Sequence, residues 1–192
     1  ALKKIDALPA INTIAVGHGP LLKKNLNLWI KNYRDWSSEK NKGESYAAVC
    51  YLSQYGFCDR LSQSIAHGIN KTNTQVQLID LRASDPQELS ALIGEAQAVV
   101  VPTWPSNADV ELQSSIGTML AALKQKQWIA VYECLGGNDE PIDSVANKLR
   151  TLGQKEAFLP LRVKDKPDSN TFQLFEEAGT DLGQILNRKK NI

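Results

Sequence analysis

Residues 48–60 read Ala48-Val49-Cys50-Tyr51-Leu52-Ser53-Gln54-Tyr55-Gly56-Phe57-Cys58-Asp59-Arg60. An apolar run ends in a short loop that carries a serine, a tyrosine and a glycine. An amphipathic segment, "LSQSIAHGI", follows at 61–69. Strand, loop and helix in that order place backbone N–H groups at a helix start, where they can hold a phosphate. Gly56 permits a left-handed turn or a close backbone approach. Ser53, Tyr55 and Cys58 offer side-chain donors, and the amides of 54–59 add to them. Asp59 argues the other way. A carboxylate near a helix start is favoured by the macrodipole with no ligand present, so phosphate cradle and simple turn both stand.

Outward from this stretch the pattern repeats. Apolar runs at 47–52, 76–81, 98–101, 128–132 and 157–163 alternate with helical periodicity at 61–69, 86–95, 110–123, 142–152 and 172–186. Ser84 or Asp85 precedes Pro86 as a plausible N-cap. Strands alternating with helices imply βαβ units and a mainly parallel sheet. The strands are unbroken apolar runs, as expected when helices cover both faces. The chain is therefore expected to be α/β, a doubly wound five-stranded parallel sheet of order 2-1-3-4-5. Ligands of such sheets bind beyond the strand C-termini near the switch point. That rule nominates the loops after strands one (53–59), three (102–109) and four (133–140). In the second, Trp104 offers a flat surface for a planar ring or for its own domain, with Thr103, Ser106 and Asn107 as polar partners. The third has two glycines and three acidic residues, Glu133, Asp139 and Glu140.

Upstream, 37–45 is a polar linker. Before it come a strand-like run at 13–16, the loop "GHGP", and a helical pattern through Leu22, Leu26, Trp29, Ile30, Tyr33 and Trp36. Pro20 sits where a first helical turn tolerates it. Residues 1–45 thus read as one piece and 46–192 as the α/β domain.

Composition narrows the function classes. The chain has 192 residues, 42% of them apolar, enough for one domain and an appendage. Its formal charge is +1 with both signs interspersed, which gives no field for nucleic acid or a membrane surface. Arg188-Lys189-Lys190 is a short basic run of the kind favoured at a helix C-terminus. Cys50, Cys58 and Cys134 lack metal-site spacing and read as thiols in a reducing, cytoplasmic compartment. No apolar run approaches the roughly 18 residues a membrane span needs. The N-terminal segment has neither a signal-peptide core nor a starting methionine, which suggests a piece of a longer protein.

The residues from 47 onward resemble a short-chain flavodoxin domain, and more specifically the flavodoxin-like domain of flavodiiron proteins. The N-terminal segment carries the second part of that resemblance. His18-Gly19-Pro20 followed by Tyr33 and Trp36 resembles the end of the metallo-β-lactamase-like diiron domain and its helix into the flavodoxin module. The loops "VPTWPSN" and "GFCDRLSQ" are similar to those of the cyanobacterial diflavin flavoproteins. In that branch a flavin reductase domain follows the flavodoxin module. The resemblance implies a parent that passes electrons from NAD(P)H through flavin to a diiron centre, reducing oxygen to water as a photoprotective sink. It implies diiron and flavin reductase domains as partners, and a homo- or hetero-oligomeric parent.

Carried over by residue, the resemblance puts the FMN phosphate on Ser53, Gln54, Tyr55 and Gly56. Phe57 and Cys58 stand where hydroxyl or amide residues are usual. Pro102, Thr103, Trp104 and Asn107 border the ring. In the third loop Cys134, Leu135, Gly136 and Gly137 replace a serine–aromatic–glycine–tryptophan pattern. Two lost aromatics, at roughly 0.5–1.5 kcal/mol of stacking each, imply FMN held about tenfold less tightly or weaker still. Glu133, standing for glycine, is expected near the ring, where its charge would lower the flavin potential. His18 matches the last iron ligand of the parent. A dinuclear centre needs several more ligands, and the one other histidine, His67, reads as surface helix. The principal expectation is an FMN-binding electron-transfer module. The alternative is a flavodoxin-like structural or dimerisation module with weakened FMN binding. A different doubly wound enzyme finds no nucleophile–base pair and no Gly-x-Gly-x-x-Gly fingerprint in its favour.

Overall fold

The computed structural model describes residues 11–15, 21–37, 46–135, 142–163 and 166–190, the side chains of 33–37 and 189–190 apart. The chain divides into two compact units, Ala1–Glu44 and Ser45–Ile192.

In the first unit Ile14 and Leu22 form a single antiparallel bridge through two 2.9 Å hydrogen bonds. Helix α1 spans Leu26–Ser37. It begins four residues later than the periodicity through Leu22 suggests, because Leu22 is committed to the bridge. Asn25 stops the helix there: its φ is 54°, and its carbonyl accepts from Leu28 and Trp29. Asparagine tolerates that left-handed conformation better than most residues. Of the expected strand at 13–16, residues 13–15 form only the Ile14 bridge, and Val16 lies outside the described residues. His18, Gly19 and Pro20, and the linker beyond Ser37, lie outside the described residues.

The second unit is one sheet in the order β2-β1-β3-β4-β5, with every pair parallel. Its elements are β1 (Tyr46–Tyr51), α2 (Cys58–Lys71), β2 (Gln75–Asp80), α3 (Pro86–Glu95), β3 (Ala98–Pro102), α4 (Val110–Ala122), β4 (Trp128–Tyr132), α5 (Ile142–Thr151), β5 (Lys155–Glu156) and α6 (Ser169–Lys190). β1 and β3 are buried almost throughout, as strands covered on both sides must be. The crossover from β1 to β2 and the one from β2 past β1 to β3 run in opposite directions, so right-handed connections put α2 and α3 on opposite faces. Asp85 is the cap of α3, accepting from the amides of Gln87 and Glu88.

The fifth strand departs from expectation. Its pairing begins at Lys155, stops at Glu156, and returns as a bridge between Leu161 and Tyr132. Ala157 still donates to Ile129 at 2.8 Å, and Leu161 to Val131 at 3.0 Å. Residues 158–160 bow out between these bonds. Pro160 has no N–H to contribute, and an edge strand is where a proline and a bulge are tolerated.

α2 and α6 cross at van der Waals distance through two glycines. A Cβ on Gly68 would lie 1.9 Å from the Glu176 carbonyl oxygen, and one on Gly179 would lie 2.1 Å from that of Ile65. This close crossing holds α2, and therefore the loop that precedes it, against the rest of the sheet.

Candidate cofactor site at the strand ends

β1, β3 and β4 run parallel and adjacent, so their following loops emerge at one edge of the sheet. The first loop is wound tightly. Tyr55 N–H donates to the Leu52 carbonyl at 3.3 Å, and Cys58 N–H to the Tyr55 carbonyl at 3.1 Å. Ser53 N–H donates to Asp80 Oδ1 at the end of β2. Gln54 has φ 62° and Gly56 φ 54°, and a left-handed glutamine stores backbone strain in this loop. Helix α2 starts at Cys58, one turn earlier than the amphipathic pattern indicates, because Leu61 N–H already bonds the Phe57 carbonyl. Phe57 supplies no side-chain cap. Asp59, exposed in the first turn, accepts from Arg60 N–H at 2.8 Å. The carboxylate therefore does work at the helix start, as the simple-turn reading requires.

The third loop rests on the first. Phe57 N–H donates to the Cys134 carbonyl at 2.8 Å. A Cβ on Gly56 would stand 2.5 Å from that same oxygen and 3.0 Å from Leu135 Cγ. Gly56 is thus required here for the approach of residues 134 and 135. Of the amides at 54–59, those of Tyr55, Phe57 and Cys58 are bonded within the protein. A phosphate seated on the Phe57 amide requires the third loop to lift.

The second loop is braced on both sides. Pro102 ends β3 opposite Tyr132, and Thr103, fully buried, donates its N–H to the Tyr132 carbonyl. Trp104 is half-buried against the core. Asn107 is exposed. Asp109 caps α4 through Leu112 N–H at 2.8 Å and pairs with Arg82 at 3.0 Å. The Leu112 amide first, and then Arg82, hold the Asp109 carboxyl below the ordinary range.

The predicted site residues therefore divide by depth. Gln54, Gly56, Asn107 and Leu135 are exposed. Ser53, Tyr55, Phe57 and Trp104 are half-buried, while Cys58, Pro102, Thr103 and Cys134 are buried. Gly136, Gly137 and His18 lie outside the described residues. Glu133 corrects an expectation. Its side chain is buried, with Oε2 accepting from Val163 N–H at 2.8 Å and Oε1 lying 3.4 Å from Arg162. It faces the segment after β5 and has a cation beside it, so it does not present a bare charge to a ring.

Beneath the loops lies a cluster that sequence reading treated as three separate thiols. Cys134 Sγ donates to Cys58 Sγ at 2.6 Å, and Cys58 Sγ lies 3.3 Å from the Tyr132 hydroxyl. That hydroxyl donates to the Cys50 carbonyl at 2.8 Å. All four side chains are buried. Burial pushes the Cys50 thiol up, and burial followed by the surrounding thiols does the same to Tyr132. Tyr132 is the hub. The period-two pattern of β4 could have placed it inward, but only the fold brings 50, 58, 132 and 134 together. Among the described residues no group of three or more His, Cys, Asp or Glu could hold a metal ion, and no helix is long and apolar enough to cross a membrane.

A five-stranded 2-1-3-4-5 sheet with its loop cluster beyond β1, β3 and β4 defines a flavodoxin-like domain. The flavodoxin-like domain of a Synechococcus sp. protein, solved crystallographically, is 45% identical, with a TM-score of 0.71 over 74% of this chain and 99% of that one. A metal-soaked flavodiiron core from Synechocystis sp. is 36% identical, with a TM-score of 0.78 over 98% of this chain and 47% of that one. Diflavin flavoprotein A 1 of Synechocystis sp. is 46% identical over 97% of this chain and 32% of its own length. The chain belongs to the diflavin flavoprotein family, as a flavodoxin-like domain. It spans about a third of the length of the curated relatives it matches. No protein-family model matches it.

Proposed function

We propose that this chain is the FMN-binding electron-transfer module of a longer flavodiiron protein. The observation that carries the reading is the convergence of three loops at the switch-point edge, the first of them opening helix α2. Ser53, Gln54, Tyr55, Gly56, Phe57 and Cys58 would surround the phosphate, with amide dipoles in place of lysine or arginine. Pro102, Thr103, Trp104 and Asn107 would border the ring from one side, and Cys134, Leu135, Gly136 and Gly137 from the other. Bound FMN would supply one- and two-electron transfer. The chain's own part is to seat the phosphate, flank the ring and exclude water. Leu135 and Trp104 offer apolar surface for that purpose.

In the parent, electrons would run from NAD(P)H through a flavin reductase domain and this module to a diiron centre that reduces oxygen to water. His18 would be an iron ligand there, and the parent would be a cytoplasmic oligomer.

A second reading is favoured by one contact. The Phe57–Cys134 bond seats the third loop where a ligand would approach, as in a module kept for architecture with FMN binding weakened or lost. An FMN titration of the full chain under reducing conditions, followed by quenching of flavin fluorescence, separates the two. The module reading expects a Kd near micromolar, about 8 kcal/mol of binding. Absence of quenching at about a hundredfold higher FMN assigns the chain to the architectural reading.

A further inference from the structure

We propose that Cys58 and Cys134 form a peroxide-sensitive thiol pair whose disulfide locks the third loop onto the first. A buried cysteine is ordinarily an inert small hydrophobe, and three facts set this pair apart. The two sulfurs are in direct contact, 2.6 Å apart, within reach of a disulfide bond. The backbones are already joined by the Phe57–Cys134 hydrogen bond. The two thiols also stand in different polar settings.

Cys58 is the first residue of α2. Its sulfur accepts from the Leu52 amide at 3.2 Å and from the Cys134 thiol. Because the Tyr132 hydroxyl gives its proton to the Cys50 carbonyl, the Cys58 thiol donates to Tyr132 in turn. The Leu52 amide and the Cys134 thiol both point at the Cys58 sulfur, so Cys58 is assigned as the attacking thiol and Cys134 as the resolving one. Cys50 enters the relay through its carbonyl and is the bystander.

The chemistry balances with a peroxide as the oxidant. Cys58 sulfur attacks one oxygen of hydrogen peroxide; the O–O bond breaks, the sulfenic acid forms and water leaves. Cys134 sulfur then attacks the sulfenic sulfur, the S–O bond breaks, the disulfide forms and a second water leaves. Two thiols are oxidised and one peroxide is reduced. Both thiols are fully buried, so oxidation requires a local opening, and the exposed residues beside the pair are Gly56 and Leu135. The disulfide then fixes the Phe57–Cys134 closure, which is the contact a phosphate on the Phe57 amide must displace. This last consequence rests on the FMN reading; the disulfide and the fixed closure do not.

The test treats the reduced full chain with hydrogen peroxide and reads thiol count, peptide map and amide exchange. The expected result is a fall from three free thiols to one, with loss of two hydrogens in mass and a Cys58–Cys134 cross-link. Phe57 amide exchange slows more than tenfold, and a dithiol reductant reverses the change. Cys50→Ser still forms the cross-link, and Cys134→Ser does not. A Cys50–Cys58 link, three surviving thiols, oxidation that stops at sulfinic acid, or a cross-link that leaves Phe57 exchange unchanged overturns the proposal. FMN uptake, measured on both forms, is expected to fall at least tenfold in the oxidised chain. Failure of the reduced chain to take up FMN refutes the module reading, and the thiol and exchange readouts still decide the lock.

Discussion

Gly56→Ala probes the seating of the third loop on the first. Two costs are expected. The residue has φ 54°, and an L side chain in the left-handed region costs about 1–2 kcal/mol, less about 0.4–1 kcal/mol returned by the stiffer unfolded chain. The new Cβ would also stand 2.5 Å from the Cys134 carbonyl oxygen, a backbone atom with no rotamer to yield. Residue 134 must retreat, breaking the Phe57–Cys134 bond and leaving buried polar groups unpaired at about 1–3 kcal/mol. Gly153→Ala isolates the first cost, because Gly153 has φ 79° and nothing within 4 Å of an added Cβ. Urea unfolding followed by far-ultraviolet circular dichroism, at a common m-value, gives the comparison. Gly153→Ala is expected to cost about 0.5–1 kcal/mol. Gly56→Ala should cost about 1–3 kcal/mol more. If the two variants agree within about 0.5 kcal/mol, the third loop does not rest on Gly56, and the account of a self-closed cradle fails with it.

Three more outcomes follow from the same contacts. Tyr132→Phe removes the buried hydroxyl that bonds the Cys50 carbonyl and receives the Cys58 thiol, and should cost about 1–3 kcal/mol in urea unfolding; no loss would mean the relay does not form. Gly68→Ala forces α2 and α6 apart at the Glu176 carbonyl and should cost at least about 2 kcal/mol. Gly117→Ala, in α4 with nothing within 4 Å, should instead be neutral or stabilise by up to about 1 kcal/mol; equal effects would refute the tight crossing. Asp109 has a depressed carboxyl in the folded chain, from the Leu112 amide and then Arg82. Its contribution is therefore present above the unfolded pKa of about 3.9 and lost as pH falls through the lower folded value. The Tm gap between wild type and Asp109→Asn should shrink steadily below about pH 4, and a gap that stays constant into that range would count against the cap and ion pair.

Several elements were legible because their signals are local. Asp85 before Pro86 marks the start of α3, and the apolar runs of β1 and β3 need cover on both faces, which gives the parallel sheet. The fifth strand was misplaced because an edge strand has one pairing partner, so its register is set by where Pro160 interrupts the ladder with β4. Leu22 fits a helical period, yet its bridge to Ile14 takes it out of α1. Glu133 reads as part of an acidic loop, but Val163 and Arg162, some thirty residues on, decide where its charge points.

The sequence by itself determined the alternation of strands and helices, the order of the sheet and the three loops that meet at its edge. These follow from period, capping and handedness, which act between near neighbours or through connection rules. Tertiary structure alone decided that the third loop lies on Gly56, that Glu133 is turned away and paired, and that Cys58, Cys134 and the Tyr132 hydroxyl meet beneath the cradle. Those contacts join residues from about thirty positions apart, at Glu133 and Val163, to more than seventy, at Cys58 and Cys134, and nothing in local periodicity distinguishes a cysteine that touches another sulfur from one that fills a core.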